Sequence, residues 1–578
     1  MMRFDLLAVL ICSISTSTIS QALSPSAIDK SNEKSLTAKV DQLFKKWDQP
    51  DSPGCALGVI RDGEFVYKHG YGMANLDHNV ALNSQSVFYI ASMSKQFTAM
   101  SVALLARQGK LSLDDDIRKY LPEMPRYEVP ITIQHLVHHT SGLRDFIVLK
   151  YLAGFPTNGV NRDDENYETM ARTDNDEVFE LIVHQKEIKF TPGTEHDYCN
   201  SNYILLAEIV KRVSGQSLSQ FAEENIFKPL GMVNTHYYDD LNVVIKNRVQ
   251  GYSPREGGGF IPVTTNNGTV GPGNVLTTVD DLLLWDRNFY HNKLGGEGQD
   301  LINLVHSPGT LNDGSKLGYA FGLFNYKYKG LDAVGHDGGF FGFKTTMNRF
   351  PQERFTVICL CNSKNIPMDV LGDQVADIYL ADRLKPTAHA PIVANRNPIH
   401  LTEKELAKFV GMYWNPVTEG LWMLSLKDGK LVDPGGGGST LVPLDKNRFQ
   451  VAGQNVELTF ERPSDSARPT RMFKKTGTGK LQLYQAVEAV SPRLAQLTEY
   501  AGRYYSEEID TTYTFTVQAG KLALQRRKGN SVLLIPTFAD NFWNDEFGYL
   551  RFTRDEHHKI NGLRLTGGWI RRLRFKKI

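Results

Sequence analysis

Cysteine is scarce in this chain, with five among 578 residues. That density excludes a small disulfide scaffold. An excess of one charge is missing too: 65 Lys and Arg face 64 Asp and Glu, for a formal net charge of +1. No global field therefore draws the protein to nucleic acid or to an anionic membrane surface. Long hydrophobic runs are also absent. The apolar stretch Leu6 to Ile14 is too short to cross a bilayer, and no later uncharged run reaches spanning length, so no stable membrane insertion is expected. The glycine clusters Gly257-Gly258-Gly259 and Gly435 to Gly438 lack the strand–helix context of a phosphate loop and read as plain loops. His135, His138 and His139 have helical ligand spacing without an accompanying glutamate, and Cys359-Leu360-Cys361 is poor zinc spacing. No metal and no cofactor are expected. The strand reading of Thr356 to Cys361 sets Cys359 and Cys361 on opposite sides, unable to bridge each other.

What is present is ordinary for a globular protein, 41% apolar and 22% charged residues, in a chain long enough for several domains. Residues 1–22 read as a signal peptide. Arg3 supplies the basic start, Leu6 to Ile14 the apolar centre and Ser20-Gln21-Ala22 the small-x-small cleavage site. Export to the periplasm or the medium is expected.

From 23 to 384 the chain mixes strands and helices. Cys55 to Ile60 and Glu64 to His69 form a hairpin over Arg61-Asp62-Gly63. A helix running through Phe97, Met100, Leu104 and Leu105 and stopping near Gly109 is apolar almost all round, hence central and buried. Two further strands, Thr345 to Phe350 and Phe355 to Asn362, come much later. Strands at both ends with helices between imply an α+β domain. The acidic stretch Phe155 to His184 reads as an insert at a pocket rim.

Residues 385–399, with Pro386, Pro391 and Pro398, form a linker. Beyond it lies a strand-rich repeat, 400–490 and 491–578. Gly411-Met412-Tyr413-Trp414 matches Gly502-Arg503-Tyr504-Tyr505, and Gly429-Lys430-Leu431 matches Gly520-Lys521-Leu522 at the same offset. Each copy follows a short helical lead-in. Two copies are too few for a solenoid or propeller and fit two small β-barrels or one composite barrel. The basic run Arg571 to Lys577 reads as a final strand with a solvated face.

Chemistry is carried by Ser92 and Lys95 in Ala91-Ser92-Met93-Ser94-Lys95. A serine hydroxyl needs a base to become a nucleophile, and a lysine one helical turn on shares its face. The other such tetrapeptide, Ser31 to Lys34, has no apolar helix behind it. A companion Tyr-x-Asn occurs at Tyr198-Cys199-Asn200. Its rivals, at Tyr290 and Tyr413, lack the preceding Pro192-Gly193 turn and the following Asn202-Tyr203.

These motifs resemble those of the penicillin-binding-protein and class C β-lactamase-like serine hydrolases. The resemblance runs in order through Cys55 to Ile60, Ala91 to Lys95, Ile131 to Leu143 and Tyr198 to Asn200. It continues through Ile226 to Met232 and Leu276 to Leu282, and so covers the first two-thirds of the chain. It implies a β-lactamase-like catalytic domain, an antiparallel sheet flanked by helices. The third motif of the family departs here. Lys475-Thr476-Gly477 lies in the repeat region and reads as a decoy, whereas Gly335-His336-Asp337-Gly338-Gly339 opens the closing strand pair. That His-x-Gly form is similar to the D-aminopeptidase-like and some esterase-like members.

The resemblance implies roles. Ser92 attacks a carbonyl and forms an acyl-enzyme, Lys95 is the base, and Tyr198 relays protons to the leaving group and the deacylating water. The backbone N–H groups of Ser92 and Gly339 form the oxyanion hole. Asn200, His336 and Gly338 bind substrate, and His336 either contacts it or bonds to Tyr198. A lysine in the position of His336 would grip a carboxylate; a neutral histidine weakens that grip and disfavours β-lactams. The expected substrates are small peptides, amides or esters, in a D-aminopeptidase- or esterase-like reaction. The alternatives are a β-lactamase or penicillin-binding carboxypeptidase and, from another class, a non-catalytic protein binding through its C-terminal β domains. Those domains could also mediate homo-oligomerisation.

Overall fold

The computed structural model describes residues 30–155, 173–264, 266–385, 398–433, 438–463, 468–476, 481–526, 531–567 and 570–578. The signal peptide and most of the 385–399 linker lie outside these residues, as does part of the Phe155 to His184 stretch.

The N-terminal α+β domain is built on a six-stranded antiparallel sheet. Its order is Phe324–Tyr328, Leu331–Phe340, Phe343–Phe350, Phe355–Cys361, Cys55–Arg61 and Glu64–Tyr71. The first hairpin therefore closes onto the last strands, and every helix between them is threaded through the middle of the sequence. Asp62 and Gly63 both have positive φ, 52° and 78°, which is the turn geometry the hairpin needs. Helices Lys30–Phe44 and Met368–Tyr379 cover one face of the sheet, where Val40, Phe44, Leu371 and Val375 pack on Leu57, Val59 and Val357. The opposite face meets the helix Val279–His291, whose Trp285 packs on Phe97 of the helix Lys95–Arg107, in which every residue from Lys95 to Leu105 is buried. A helix surrounded on all sides can be apolar all round.

The strands Cys55–Arg61 and Phe355–Cys361 are joined by a disulfide, Cys55–Cys361. Cys359 and Cys361 lie on the same face, with their sulfurs 3.5 Å apart, which corrects the expectation of opposite sides. Residues two apart in a strand share a face because the side-chain period is two. The three sulfurs of Cys55, Cys359 and Cys361 cluster within 4.8 Å. With two of them oxidised, the cluster keeps one thiol, Cys359, whose pKa burial pushes up to about 12.

The stretch Phe155 to His184 is not simply a rim insert. It contains the helix Asn175–Val183, whose Val178, Phe179 and Ile182 belong to the main core. The sequence there alternates acidic and apolar residues because only one helix face is solvated.

The C-terminal third forms two β domains. The first is a closed eight-stranded barrel from Gly411–Trp414 to Gln482–Val487. The second is a nine-stranded sheet whose edge strands, Val532–Leu533 and Ile535–Pro536, are separated in sequence by Leu534 alone. The repeat has a physical basis. Tyr413 donates its hydroxyl hydrogen to Phe409 O, and Tyr504 does the same to Tyr500 O, four residues back in each case. Gly429 and Gly520 take φ of 69° and 72° at equivalent hairpin turns.

The basic run does form a last strand, Ile570–Lys577, with Leu573 and Phe575 inside the barrel. Its other face is only partly solvated. Arg571 pairs with Glu195, Arg574 with Glu187, and Arg572 donates to Lys189 O, so these cations dock the barrel on the catalytic domain. Replacing Cys55 and Cys361 together by serine is expected to lower the unfolding free energy by about 2–4 kcal/mol. Denaturant titration measures this, and an unchanged midpoint would contradict a stabilising cross-strand tie.

Candidate active site

Ser92 sits in the single 3-10 turn Ala91–Ser94 that leads into the Lys95–Arg107 helix. Ala91, just before it, has a φ of +46°. That left-handed conformation costs an alanine about 1–2 kcal/mol, so the surroundings must impose it. They do so with several bonds. Ile90 N donates to Val275 O, Ile90 O accepts from Thr345 Oγ1 and Met93 N, and Val275 N donates to Ser94 Oγ. The strand Leu331–Phe340 runs against this turn. From His336 onward it has a strand partner on one side only, because Phe324–Tyr328 pairs no further than Gly335. A side chain at Gly338 would bring a Cβ to 2.2 Å from Ile90 O, so only glycine permits the approach. Gly339, paired with Lys344, follows on the same edge.

Lys95 is fully buried. Its Nζ lies 3.1 Å from Ser92 Oγ, 2.9 Å from Asn200 Oδ1 and 2.8 Å from Pro272 O. Burial without an adjoining carboxylate lowers its pKa to about 7, a fall that Asp145 and Cys199 only partly oppose. A neutral amine has two N–H groups and one lone pair. Asn200 Oδ1 and Pro272 O can only accept, so they take both hydrogens. The lone pair is left for the hydroxyl of Ser92.

The orientation of Asn200 is fixed from behind. Its backbone N and its Nδ2 both donate to Asp145 Oδ2, at 2.6 and 3.0 Å. A carboxylate acceptor forces the amide nitrogen toward Asp145 and the amide oxygen toward Lys95. Asp145 also caps the helix Phe146–Leu152 by accepting from Ile147 N. Burial raises the Asp145 pKa, and the N–H donors of Asn200 and Ile147 oppose that rise.

Tyr198 lies beside this pair, with Lys95 Nζ 4.8 Å from its ring centre. Its hydroxyl is buried, and Ser92 is close enough to offset part of the upward push of burial on its pKa. It has no side-chain partner in good hydrogen-bond geometry among the described residues. The push is upward, so Tyr198 rests as a neutral phenol, able to give a proton and not poised to take one. The resting geometry is that expected if Lys95 is the base and Tyr198 the proton donor.

His336 is buried, and each of its ring nitrogens has a partner. Nδ1 lies 2.6 Å from Asp337 O and must donate to it. Nε2, 3.2 Å from Tyr319 Oη, therefore accepts from that hydroxyl. Desolvation, reinforced by the nearby Lys95, lowers the His336 pKa to about 3, so the ring is neutral. It makes no bond to Tyr198, and their ring centres are 6.1 Å apart.

His139 was read only as one of three histidines with ligand spacing. Each turns to its own partners: His135 Nδ1 accepts from Thr132 N, and His138 Nδ1 donates to Gln134 O. His139 Nδ1 accepts from Cys199 N and Asn202 Nδ2, while Asn202 Oδ1 accepts from Ser141 Oγ. Two donors aimed at Nδ1 leave the proton on Nε2. The ring centre lies 4.4 Å from that of Tyr198 and 4.8 Å from that of Tyr319, tilted against both. Asp145, Pro272 and Tyr319 carry no sequence signal of their own, and the block Ile131 to Leu143 assigns no role to His139. Lys475 and Thr476 lie in a strand of the first barrel, and Tyr290 and Tyr413 stand at a helix end and in that barrel.

Two outcomes follow. If Lys95 is the base, activity is low when it is protonated and rises with pH through about 7; a rate flat from pH 5 to 8 would contradict this. His139→Leu strands the Cys199 N–H and should cost about 1–3 kcal/mol of stability. His139→Asn, whose Oδ1 can replace Nδ1, should cost less in the same denaturation experiment.

Known proteins resemble this chain in sequence and in fold. The chain is similar to a D-aminopeptidase of Brucella melitensis biotype 2, 26% identical over 476 residues, 81% of this chain and 82% of that one. A D-aminopeptidase of Gluconobacter oxydans is 26% identical over 421 residues, 72% and 75% of the two chains. The fold is similar to that of an octameric penicillin-binding protein homologue from Pyrococcus abyssi. That match has a TM-score of 0.53 and 21% identity, covering 79% of this chain and 100% of that one. The Beta-lactamase family model matches residues 39–381, well over half of the chain. The chain belongs to the beta-lactamase family and is a hydrolase of the serine acyl-enzyme type.

Proposed function

We propose that the protein releases the N-terminal residue from small D-amino-acid amides and peptides through an acyl-enzyme on Ser92. The observation that carries this reading is the buried Lys95 Nζ, 3.1 Å from Ser92 Oγ and held there by two pure acceptors, Asn200 Oδ1 and Pro272 O. Substrate class rests on the D-aminopeptidases to which the chain is similar along four-fifths of its length.

In this reading Lys95 takes the Ser92 proton as Oγ attacks the carbonyl carbon. Backbone N–H groups of Ser92 and Gly339 hold the oxyanion. Tyr198 gives its proton to the departing amine, is reprotonated through Lys95, and then works with Lys95 on the water that releases the acid. Asn200 acts on Lys95, holding its hydrogens away from Ser92, more than on substrate. His336 forms a neutral wall of the cleft, beside Gly338. A neutral His336 offers a substrate carboxylate no counter-charge from its own position, which supports amides over β-lactams, while the ammonium of Lys344 lies farther along the edge, against Gly339. Esters, with a better leaving group, are the second substrate class.

We also propose export. The basic, apolar and small-x-small order of residues 1–22 supports it, as does the Cys55–Cys361 disulfide, since such bonds persist in oxidising compartments. Among the described residues no helix is long and apolar enough to cross a membrane. Self-association through the β domains draws support only from likeness to an octameric homologue, and light scattering decides it.

The test is a panel of D- and L-amino-acid amides, short acyl esters and nitrocefin, with labelling by a fluorophosphonate. Turnover of D-amides and labelling, both abolished in Ser92→Ala, is the expected result. Nitrocefin turnover exceeding that of every amide would overturn the substrate class, and labelling that survives Ser92→Ala would overturn the site.

A further inference from the structure

Arg144 and Asp145 are adjacent in sequence and serve different domains. Asp145 faces inward to Asn200. Arg144, fully buried, faces the second barrel. Its Nη1 donates to Glu508 Oε2 at 2.6 Å and to Glu187 O, its Nε to Arg571 O, and its Nη2 to Arg572 O. Three of these four acceptors belong to the barrel. A buried guanidinium is tolerated only when such partners are in place.

A second connection runs through the helix Phe146–Leu152, which Asp145 caps. Its Leu149, Tyr151 and Leu152 are part of the barrel's own hydrophobic core. Tyr513 donates to Leu152 O, Arg526 donates to Tyr151 O, and Tyr151 donates to Glu546. Between these contacts and the catalytic centre the backbone is pinned. Gln185 bonds to both N and O of Arg144, while Ser201 Oγ donates to Arg144 O and accepts from Phe146 N. Ser201 is the residue after Asn200.

We propose that the second barrel is a positioning element of the catalytic centre. Through Glu508–Arg144 and the docked helix it fixes Asp145, which orients Asn200 and so keeps the Lys95 lone pair on Ser92. Arg144, Asp145 and Glu508 are positioning residues, since none touches the reacting atoms. The inference rests on Lys95 acting as the base, as proposed above.

The charged and titratable groups facing Lys95 are Asp145, Tyr198, Cys199, Tyr203, His139 and His336. Those facing Arg144 are Glu508, Glu187, Tyr127 and Arg572. Of the groups around Lys95, Asp145 is the one tied to the barrel, and its charge raises the Lys95 pKa. Loosening it should therefore lower that pKa.

The experiment uses full-length Glu508→Gln, Asp145→Asn and the double variant, with rates normalised to sites titrated by fluorophosphonate so that misfolded protein is not counted. Glu508→Gln should lower kcat about tenfold with KM little changed, and move the acidic limb of the pH profile down by about half a unit. Added to Asp145→Asn it should cause no further shift. A limb and kcat per titrated site equal to wild type, or effects that simply add, would overturn the proposal. If Glu508→Gln does not fold, Tyr513→Phe, which loses only the bond to Leu152 O, must move the limb in the same direction; an unmoved limb overturns the proposal equally. A wild type that is not labelled at Ser92 would instead overturn the underlying reading of the site.

Discussion

The structure depends on one buried amine. Lys95 has no solvent, so its charge would be expensive and its hydrogens must be bonded within the protein. Two pure acceptors, Asn200 Oδ1 and Pro272 O, take the two hydrogens of the neutral form. The remaining direction points at Ser92. In the proposed reaction, activation of Ser92 is a consequence of hydrogen-bond satisfaction in a dry site, and the fold can be read as the set of elements that keep those acceptors in place.

The sheet and the helices contribute from two sides. Strained Ala91 and the glycine approach at Gly338 bring the Ser92 turn and the edge of the strand Leu331–Phe340 together. On the other side, Asp145 and the segment Tyr198–Asn200 are joined by hydrogen bonds to backbone and amide. Around them stand aromatic and imidazole rings, those of His139, Tyr198, Tyr319 and His336, with the tautomers of the two histidines set by their hydrogen bonds. Burial drives the phenol pKa values of Tyr198 and Tyr319 up and the imidazole pKa values of His139 and His336 down. The cleft therefore presents neutral groups around the Ser92–Lys95 pair, and the second barrel packs its own core around the helix that Asp145 caps.

Much of this was legible in the sequence because the relevant signals are local. Ser92 and Lys95 share a helix face at a spacing of three, the apolar run behind them marks a central helix, and the repeat is written in tyrosines and glycines that make the same bonds twice. What stayed hidden depends on contacts distant in sequence. Pro272 contributes only a carbonyl, which any residue could supply. Asp145 resembles any helix cap until its other oxygen is seen on Asn200. Tyr319 donates to a histidine 17 residues away. The basic character of the last strand suggested solvent, yet Arg571, Arg572 and Arg574 meet acceptors on another domain. Cys359 and Cys361 were misassigned for a simpler reason: a spacing of two in a strand means one face.

The most direct measurement is the titration of Lys95 itself, followed by NMR of 13Cε-labelled lysine in the intact protein. The account predicts one lysine titrating near pH 7, missing from the spectrum of Lys95→Ala and perturbed in Asn200→Ala. A spectrum in which every lysine titrates above pH 10 would contradict it.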